Sequence, residues 1–166
     1  MIRVGTSGAM RPDINVGSLA LITAAIRDEG TSTQYLPIEF PAVADIDIVQ
    51  ALIRGSQINK QTYFTGITQS KDSFYGQHNP EQMPISATLL ERWKAWQMGG
   101  AICSEMESSI LFILGSIYKI WTGGIMLITG TQEKHEKIIP KPDLNGLIQT
   151  TVDALRILIE ADRQVR

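Results

Sequence analysis

Two glutamates, Glu105 and Glu107, flank a methionine where an apolar, strand-like run gives way to a predicted helix over residues 108–119. Carboxylates at the start of a helix are favoured by its free backbone N–H groups and by the positive end of its dipole. Two such acceptors beside the apolar side chain of Met106 could bind the hydroxyl groups of a sugar and one face of a ring. The spacing leaves an alternative open, in which Glu107 only caps the helix and Met106 fills core.

A second group of residues near the amino end could bind an anion. Residues 5–8 hold two glycines around two hydroxyl side chains and follow a predicted strand at residues 2–4. Backbone N–H groups of such a turn can converge on a phosphate, and Arg3 is close enough to add positive charge. The alternative is an ordinary turn. Because this strand starts at residue 2, we expect either an edge strand or a chain that lacks a preceding segment.

Aromatic and amide side chains follow another predicted strand, in the segment 69–84. Phe74 and Tyr75 offer rings on which a flat heterocycle could stack, and Gln77 offers a donor and an acceptor that could read its edge. The alternative is a solvated loop anchored by one phenylalanine.

Composition narrows the class of protein. The 166 residues are about the size of one domain, and 43% hydrophobic with 19% charged residues is typical of a globular protein. A net charge of −2 predicts no nucleic-acid or membrane partner. The single cysteine and two distant histidines, His78 and His135, predict neither disulfides nor a metal site. Since no apolar run is long enough to span a bilayer and no signal peptide leads the chain, we expect a cytoplasmic protein.

The elements that must position these residues alternate between strands and helices. Besides residues 2–4, apolar runs predict strands at 18–26, 62–68 and 124–130. Helical periodicity and capping residues predict helices at 45–56, 86–98, 108–119 and 143–163. This alternation predicts an α/β fold.

The apolar spacing also predicts which face of each helix is buried. In the helix that Asp45 should cap, we expect the inner face to be Ile46, Val49, Leu52 and Ile53. In the helix 86–98 it should be Leu89, Leu90, Trp93 and Trp96, although the two tryptophans could instead form a subunit contact. In the last helix it should be Leu144, Leu147, Ile148, Val152, Leu155 and Ile159.

Five segments together resemble the nucleoside phosphorylases, and among these the uridine phosphorylases. They are, in the order found in that family, residues 2–9, 28–32, 40–45, 71–77 and 104–108. The resemblance implies a three-layer α/β/α fold with a central mixed sheet, formed by a single domain over residues 1–166. It also implies that the N-terminal third of the family fold is absent from this sequence.

The resemblance further implies phosphorolysis of uridine to uracil and ribose 1-phosphate, with inorganic phosphate as co-substrate and no other cofactor. Arg3 and Thr6 match positions that hold phosphate, and Glu107 matches the acceptor of the ribose hydroxyls. These three are the predicted catalytic residues. The other predicted substrate-binding residues are Glu105 beside Glu107, Met106 against the nucleoside, Gly8 and Phe74 in the base pocket, and Gln77 at the uracil edge.

Three departures from the family pattern bear on these roles. Purine-cleaving relatives carry an aspartate just after the strand that here ends near Ile128. In this chain residues 129–131 include no acidic residue, and the next acid is Glu133. A pyrimidine substrate is therefore expected. Gln82, which is also a predicted substrate-binding residue, stands where close relatives have an arginine that binds a uracil carbonyl. Arg3 is the only one of the family's phosphate arginines in this sequence.

The resemblance implies a homo-oligomer, which in the family is a hexamer assembled from dimers. The alternative to an enzyme is a non-catalytic truncated relative that folds or oligomerises without turnover.

Overall fold

The computed structural model of the chain describes residues 1–131 and 142–165. Glu133, His135 and most of the predicted polar segment 131–141 lie outside the described residues. The described part forms six strands: β1 (Ile2–Ala9), β2 (Leu19–Asp28), β3 (Ala42–Val43), β4 (Tyr63–Lys71), β5 (Cys103–Glu105) and β6 (Gly123–Thr131). It forms five α-helices: α1 (Ile46–Ile58), α2 (Phe74–His78), α3 (Ser86–Met98), α4 (Ser108–Tyr118) and α5 (Asn145–Val165). Within the described ranges, no helix is both long and apolar enough for a bilayer crossing.

The strands form one mixed sheet in the order β3-β2-β4-β5-β1-β6. The first half of β2 also pairs antiparallel with β6. This pairing closes the sheet into a ring of five strands, β2, β4, β5, β1 and β6. The parallel pairs are β1 with β6, β2 with β4, and β4 with β5. The predicted α/β class with a central mixed sheet is therefore confirmed.

Strand β1 differs from its prediction in two ways. It continues through residues 5–8, which were expected to turn, because their backbone pairs with β6 from Met126 to Gly130 with one register shift after Ser7. It also lies between β5 and β6, so the first of the two alternatives, an edge strand, is wrong. The two glycines and two small hydroxyl residues thus form strand, and their role as an anion-binding turn has no support in the backbone.

Apolar side chains on the two faces of the sheet form two cores. Leu19 and Leu21 of β2 pack with Ile125 of β6 against α1 and α5. Ala20 and Ile22 of the same strand point to the opposite face, where Phe112 of α4 is completely buried. This alternation places helices on both sides of the sheet, as a three-layer α/β/α arrangement requires.

Helix α1 begins where the sequence predicts. The Asp45 carboxylate accepts a hydrogen bond from the backbone N–H of Asp47 at 3.0 Å, which is an N-cap. Val49 and Leu52 are buried as expected, but Ile46 is 64% exposed and Ile48 is buried in its place. Ile46 is the first residue of the helix, so its side chain precedes the turn that packs on the sheet.

Helix α5 packs through a different face from the predicted one. Leu147 is buried as expected, but the other buried positions are Thr150, Thr151 and Ala154. The exposed residues include four that were expected to point inward: Leu144, Ile148, Leu155 and Ile159. Small side chains at the contact let α5 approach α1 closely.

Candidate active site

A cleft of about 950 Å³ opens over the ends of β1, β4, β5 and β6 and beneath α2 and α3. Eight of the nine sequence-predicted site residues line it: Arg3, Thr6, Gly8, Phe74, Gln77, Glu105, Met106 and Glu107. A smaller cleft of about 470 Å³ lies elsewhere, between α1 and α5 beside Trp121, and contains none of them.

Gln82 is the exception. It is exposed on a short 3-10 helix, Pro80–Gln82, whose first two residues line the cleft while Gln82 itself does not. Gln82 therefore does not line the cleft, and its contact with the base stays a prediction. The 3-10 turn directs Pro80 and Glu81 to the cleft and leaves Gln82 on the outside.

Strand register explains why distant segments meet in the cleft. Gly8 of β1 lies opposite Ser104 of β5 on one side and opposite Gly130 of β6 on the other. Ser104 in turn lies opposite Gln69 of β4, and Asp28 of β2 lies opposite Lys71 of β4. Polar and small residues of five strands therefore lie within a few residues of one another along the sheet.

At one end of the cleft, Arg3 joins the two glutamates. Its Nε donates to Glu107 Oε2 at 2.8 Å and lies 3.2 Å from Glu105 Oε2, and its Nη2 also donates to Glu107. Nη1 contacts the sulfur of Met126 at 2.7 Å. The arginine side chain is 19% exposed, so this cation is held partly desolvated between the two acids.

The two glutamates have different environments. The Glu105 side chain is only 1% exposed, and its Oε2 accepts from the backbone N–H groups of Glu107 and Ser108 at 2.9 Å each. Its Oε1 accepts from Ser70 Oγ. Glu105 therefore caps α4, whereas Glu107 makes no side-chain capping bond and is 57% exposed. The alternative that Glu107 only caps the helix is wrong.

At the other end, α2 presents the aromatic and amide side chains. Ser73 caps this short helix by accepting from the N–H of Gly76 at 3.0 Å. Phe74 is 44% exposed and lies against His78, with ring centroids 4.1 Å apart. Gln77 is buried, and its Oε1 lies 2.6 Å from Ser104 Oγ, which lies at a similar distance, 2.7 Å, from Gln69 Oε1. Burial and the charge of Lys71 lower the pKa of His78.

Helix α3 forms one wall of the cleft, and none of its residues is buried. Its expected packed face is therefore only half-buried in Leu89, Trp93 and Trp96, and Leu90 is 37% exposed. Arg92 holds the helix in place by an ion pair with Asp28 and lies over the Trp96 ring at 5.1 Å. The two tryptophans line the cleft, a role that their helical spacing does not distinguish from core.

Sequence reasoning missed several polar residues of the cleft, namely Asp28, Gln69, Lys71, Arg92 and Ser104. Asp28, Lys71 and Ser104 are the first residues of three of the segments that resemble the family. Their place in those segments is the one sequence feature that could have identified these three as site residues. Lys71 is 7% exposed, and its Nζ donates to Ser104 Oγ at 2.7 Å. Burial lowers the pKa of Lys71 to about 8, although nearby acids raise it.

Within residues 1–131 and 142–165, no three His, Cys, Asp or Glu side chains are grouped as a metal site requires.

Known proteins similar to this chain agree on one family. The family model described as the phosphorylase superfamily matches residues 1–151. A uridine phosphorylase of Treponema pallidum (strain Nichols) is 43% identical over 97% of this chain and 64% of its own length. A uridine phosphorylase of Salmonella typhimurium is 33% identical, with 99% and 64% covered. A purine nucleoside phosphorylase of Plasmodium falciparum is 30% identical, with 82% and 53% covered.

The chain thus spans about 64% of the length of the Treponema and Salmonella proteins. The family match nevertheless covers all six strands and the start of the last helix. With this match and the mixed sheet, the chain belongs to the phosphorylase superfamily.

Proposed function

We propose that this chain carries the uridine- and phosphate-binding residues of a uridine phosphorylase, a pentosyltransferase that converts uridine and phosphate to uracil and ribose 1-phosphate. The names of the Treponema and Salmonella relatives support the substrate pair. Inorganic phosphate is the only co-substrate that the reaction needs, and no further cofactor is proposed.

One observation carries the proposal: the ion pair of Arg3 and Glu107 opens onto the same cleft as Phe74 and Gln77. An arginine can bind phosphate through paired N–H donors, and a carboxylate can accept from two sugar hydroxyls. Because Glu107 is more than half exposed, its ion pair with Arg3 contributes little to stability, and breaking it costs little free energy. We propose that phosphate takes over the arginine donors while the ribose hydroxyls take over the Glu107 carboxylate.

The cleft also suits the chemistry of the step. Phosphate oxygen forms a bond to the ribose C1′ as the bond from C1′ to the base nitrogen N1 breaks, and the bonding electrons leave with the base. Positive charge develops on the sugar, so phosphate held by Arg3 and Thr6 stabilises the transition state more than the bound substrates. Glu107 orients the ribose, and Phe74 and Gln77 hold the base.

A pyrimidine base is proposed over a purine. Thr129, Gly130 and Thr131 line the cleft where a purine-specific enzyme would need an acid, and these side chains cannot protonate a ring nitrogen. Glu133, the next acid, lies outside the described residues. The similarity to the Plasmodium purine nucleoside phosphorylase favours a purine substrate instead, so the experiment should include purine nucleosides.

The first experiment measures phosphate-dependent release of uracil from uridine by the purified chain. We expect Glu107→Ala to lower kcat/KM by about 10²-fold, because it removes a charged acceptor from the ribose. Glu91→Ala, which removes an exposed carboxylate of α3 outside the cleft, is the matched control and should leave the rate unchanged. Unchanged turnover in Glu107→Ala, or cleavage of inosine in preference to uridine, would overturn the assignment.

The alternative is a binding protein without turnover. The contacts of Arg3 favour it, because two acids already engage the guanidinium that phosphate would have to bind. Calorimetry separates the two: uridine binding that requires Gln77 and Glu107, without uracil release, indicates the binding protein. A homo-oligomeric state and a cytoplasmic location stay predictions.

A further inference from the structure

We propose that the ammonium group of Lys71 contacts the base and stabilises the negative charge that develops on it as it leaves. This inference rests on the proposed function, since it assigns a further catalytic residue to that reaction. Lys71 is the last residue of β4 and lines the cleft although only 7% of it is exposed.

The charge of Lys71 has no ion-pair partner in the described part of the chain. None of the ion pairs among these residues includes it. An unpaired buried ammonium is costly, so a protein that retains one gains by placing an acceptor or an anion beside it. In this site the ligand supplies that group.

The hydrogen bonds of Lys71 leave a donor for this purpose. An ammonium has three N–H donors. Two have acceptors among the described residues: Ser104 Oγ at 2.7 Å, and the Glu105 carbonyl oxygen at 3.5 Å, which is the limit of a hydrogen bond. The third is available to a ligand in the cleft.

The position of the ammonium favours the base over the phosphate. The Ser104 hydroxyl that accepts from Lys71 lies 2.6 Å from Gln77 Oε1, so the cation is linked through one hydroxyl to the amide proposed to hold the base. Arg3, proposed to hold phosphate, is engaged instead by the carboxylates of Glu105 and Glu107.

The reaction gives this cation a defined task. When the bond from C1′ to N1 breaks, its electron pair delocalises onto the two carbonyl oxygens of the pyrimidine. Lys71 donates a hydrogen bond to one of these oxygens, and N1 then takes a proton from water or dihydrogen phosphate to give neutral uracil. A charged donor at a developing anion in a desolvated site contributes most in the transition state.

The groups around Lys71 determine the pH dependence. Glu105, Glu107 and Cys103 face it from β5 and the turn that follows, Asp28 faces it from β2, and His78 faces it from α2. Burial opposes the protonated form and lowers the pKa of Lys71 to about 8. The rate should therefore fall above about pH 8 as the ammonium loses its proton.

The test compares Lys71→Met and Lys71→Arg with uridine and with 5-fluorouridine, whose base leaves more readily as an anion. We expect Lys71→Met to lower kcat about 10²-fold with uridine. The loss should be at least fivefold smaller with 5-fluorouridine, because that base depends less on the cation. Lys71→Arg should retain most activity and lose the decline above pH 8. Lys94→Met, which removes an exposed positive charge on α3, is the matched control.

Equal losses with the two nucleosides would overturn the inference, because a structural role does not depend on the leaving group. A raised KM for phosphate with unchanged kcat would also overturn it and assign Lys71 to phosphate. If the wild-type chain shows no phosphorolysis, the proposed function fails separately, and calorimetry with uracil decides the inference. Lys71→Met should then weaken uracil binding at least tenfold, and equal binding, or no binding by the wild-type chain, overturns it.

Discussion

The carboxylate of Glu105 is almost completely buried, whereas that of Glu107, two residues later, is more than half exposed. The difference follows from their positions, because Glu105 ends β5 and Glu107 precedes the first turn of α4. Glu105 stabilises the fold by accepting hydrogen bonds from the Ser70 hydroxyl and from two backbone N–H groups. Glu107 has only Arg3 as a hydrogen-bond partner for its carboxylate among the described residues, and in the proposed function it exchanges this partner for substrate.

Replacing each glutamate by glutamine tests this division of roles. Glu105→Gln should lower the free energy of unfolding by about 2–3 kcal/mol, because an amide has one acceptor oxygen for bonds that a buried carboxylate now accepts with two. Glu107→Gln should change stability by less than about 1 kcal/mol, since its ion pair is exposed. Urea denaturation measures both. Equal stability losses would contradict the assignment of Glu105 to the fold.

Residue types alone could predict only part of this site. The acids, the aromatic ring and the amide were recognised because few other side chains bind sugar hydroxyls and a heterocycle. The sequence could not show which glutamate caps α4, because both lie within reach of the helix start and only burial separates them. Lys71 was missed because a lysine at the end of a strand is usually solvated, and its burial depends on β5, which is distant in sequence.

At the scale of elements, periodicity located the helices but not always their buried faces. Helix α5 has an apolar stripe that the spacing assigned to the core, yet Ile148 and Ile159 are about half exposed. The contact with α1 is made instead through Thr150 and Ala154, opposite Gly55. A close backbone approach requires small residues, and this requirement is not visible as hydrophobic periodicity.

Gly55→Ala tests the close approach. A Cβ at Gly55 would lie 2.6 Å from the carbonyl oxygen of Thr150 and 3.3 Å from the backbone nitrogen of Ala154. Helix propensity favours alanine by about 1 kcal/mol, but overpacking costs about 1–3 kcal/mol, so we expect a net loss of up to about 2 kcal/mol in unfolding free energy. Gln50→Ala, at an exposed position of the same helix, should stay within about 0.5 kcal/mol of wild type. A stabilised Gly55→Ala variant would show that the helices can separate without loss.

For the molecule as a whole, the cleft contains a buried charge that opposes folding. The pKa of Lys71 falls from its ordinary value of 10.5 to about 8 because burial disfavours the ammonium. Cys103 beside it behaves in the opposite sense, since burial raises the pKa of its thiol to about 11. Groups whose burial is unfavourable but which serve a reaction are a common reason why active sites reduce stability.

The last prediction is that Lys71→Met makes the chain more stable at pH 7 while making it less active. Below about pH 8, Lys71 is charged in both the folded and unfolded states, and the full cost of burying the charge is present. Between about pH 8 and 10.5 the unfolded chain binds more protons, so wild-type stability gains with pH from this group. At about 1.4 kcal/mol per pH unit, the advantage of Lys71→Met has an upper limit of about 3 kcal/mol at pH 7 and should shrink as pH approaches 10.5.

Cys103 titrates in an overlapping range with the opposite sign, but it is present in both proteins and cancels in the difference. Urea denaturation at pH 7, 9 and 10.5 measures that difference, with Lys94→Met as the control for loss of an exposed charge. A difference that does not change with pH would show that Lys71 is not desolvated in the folded chain.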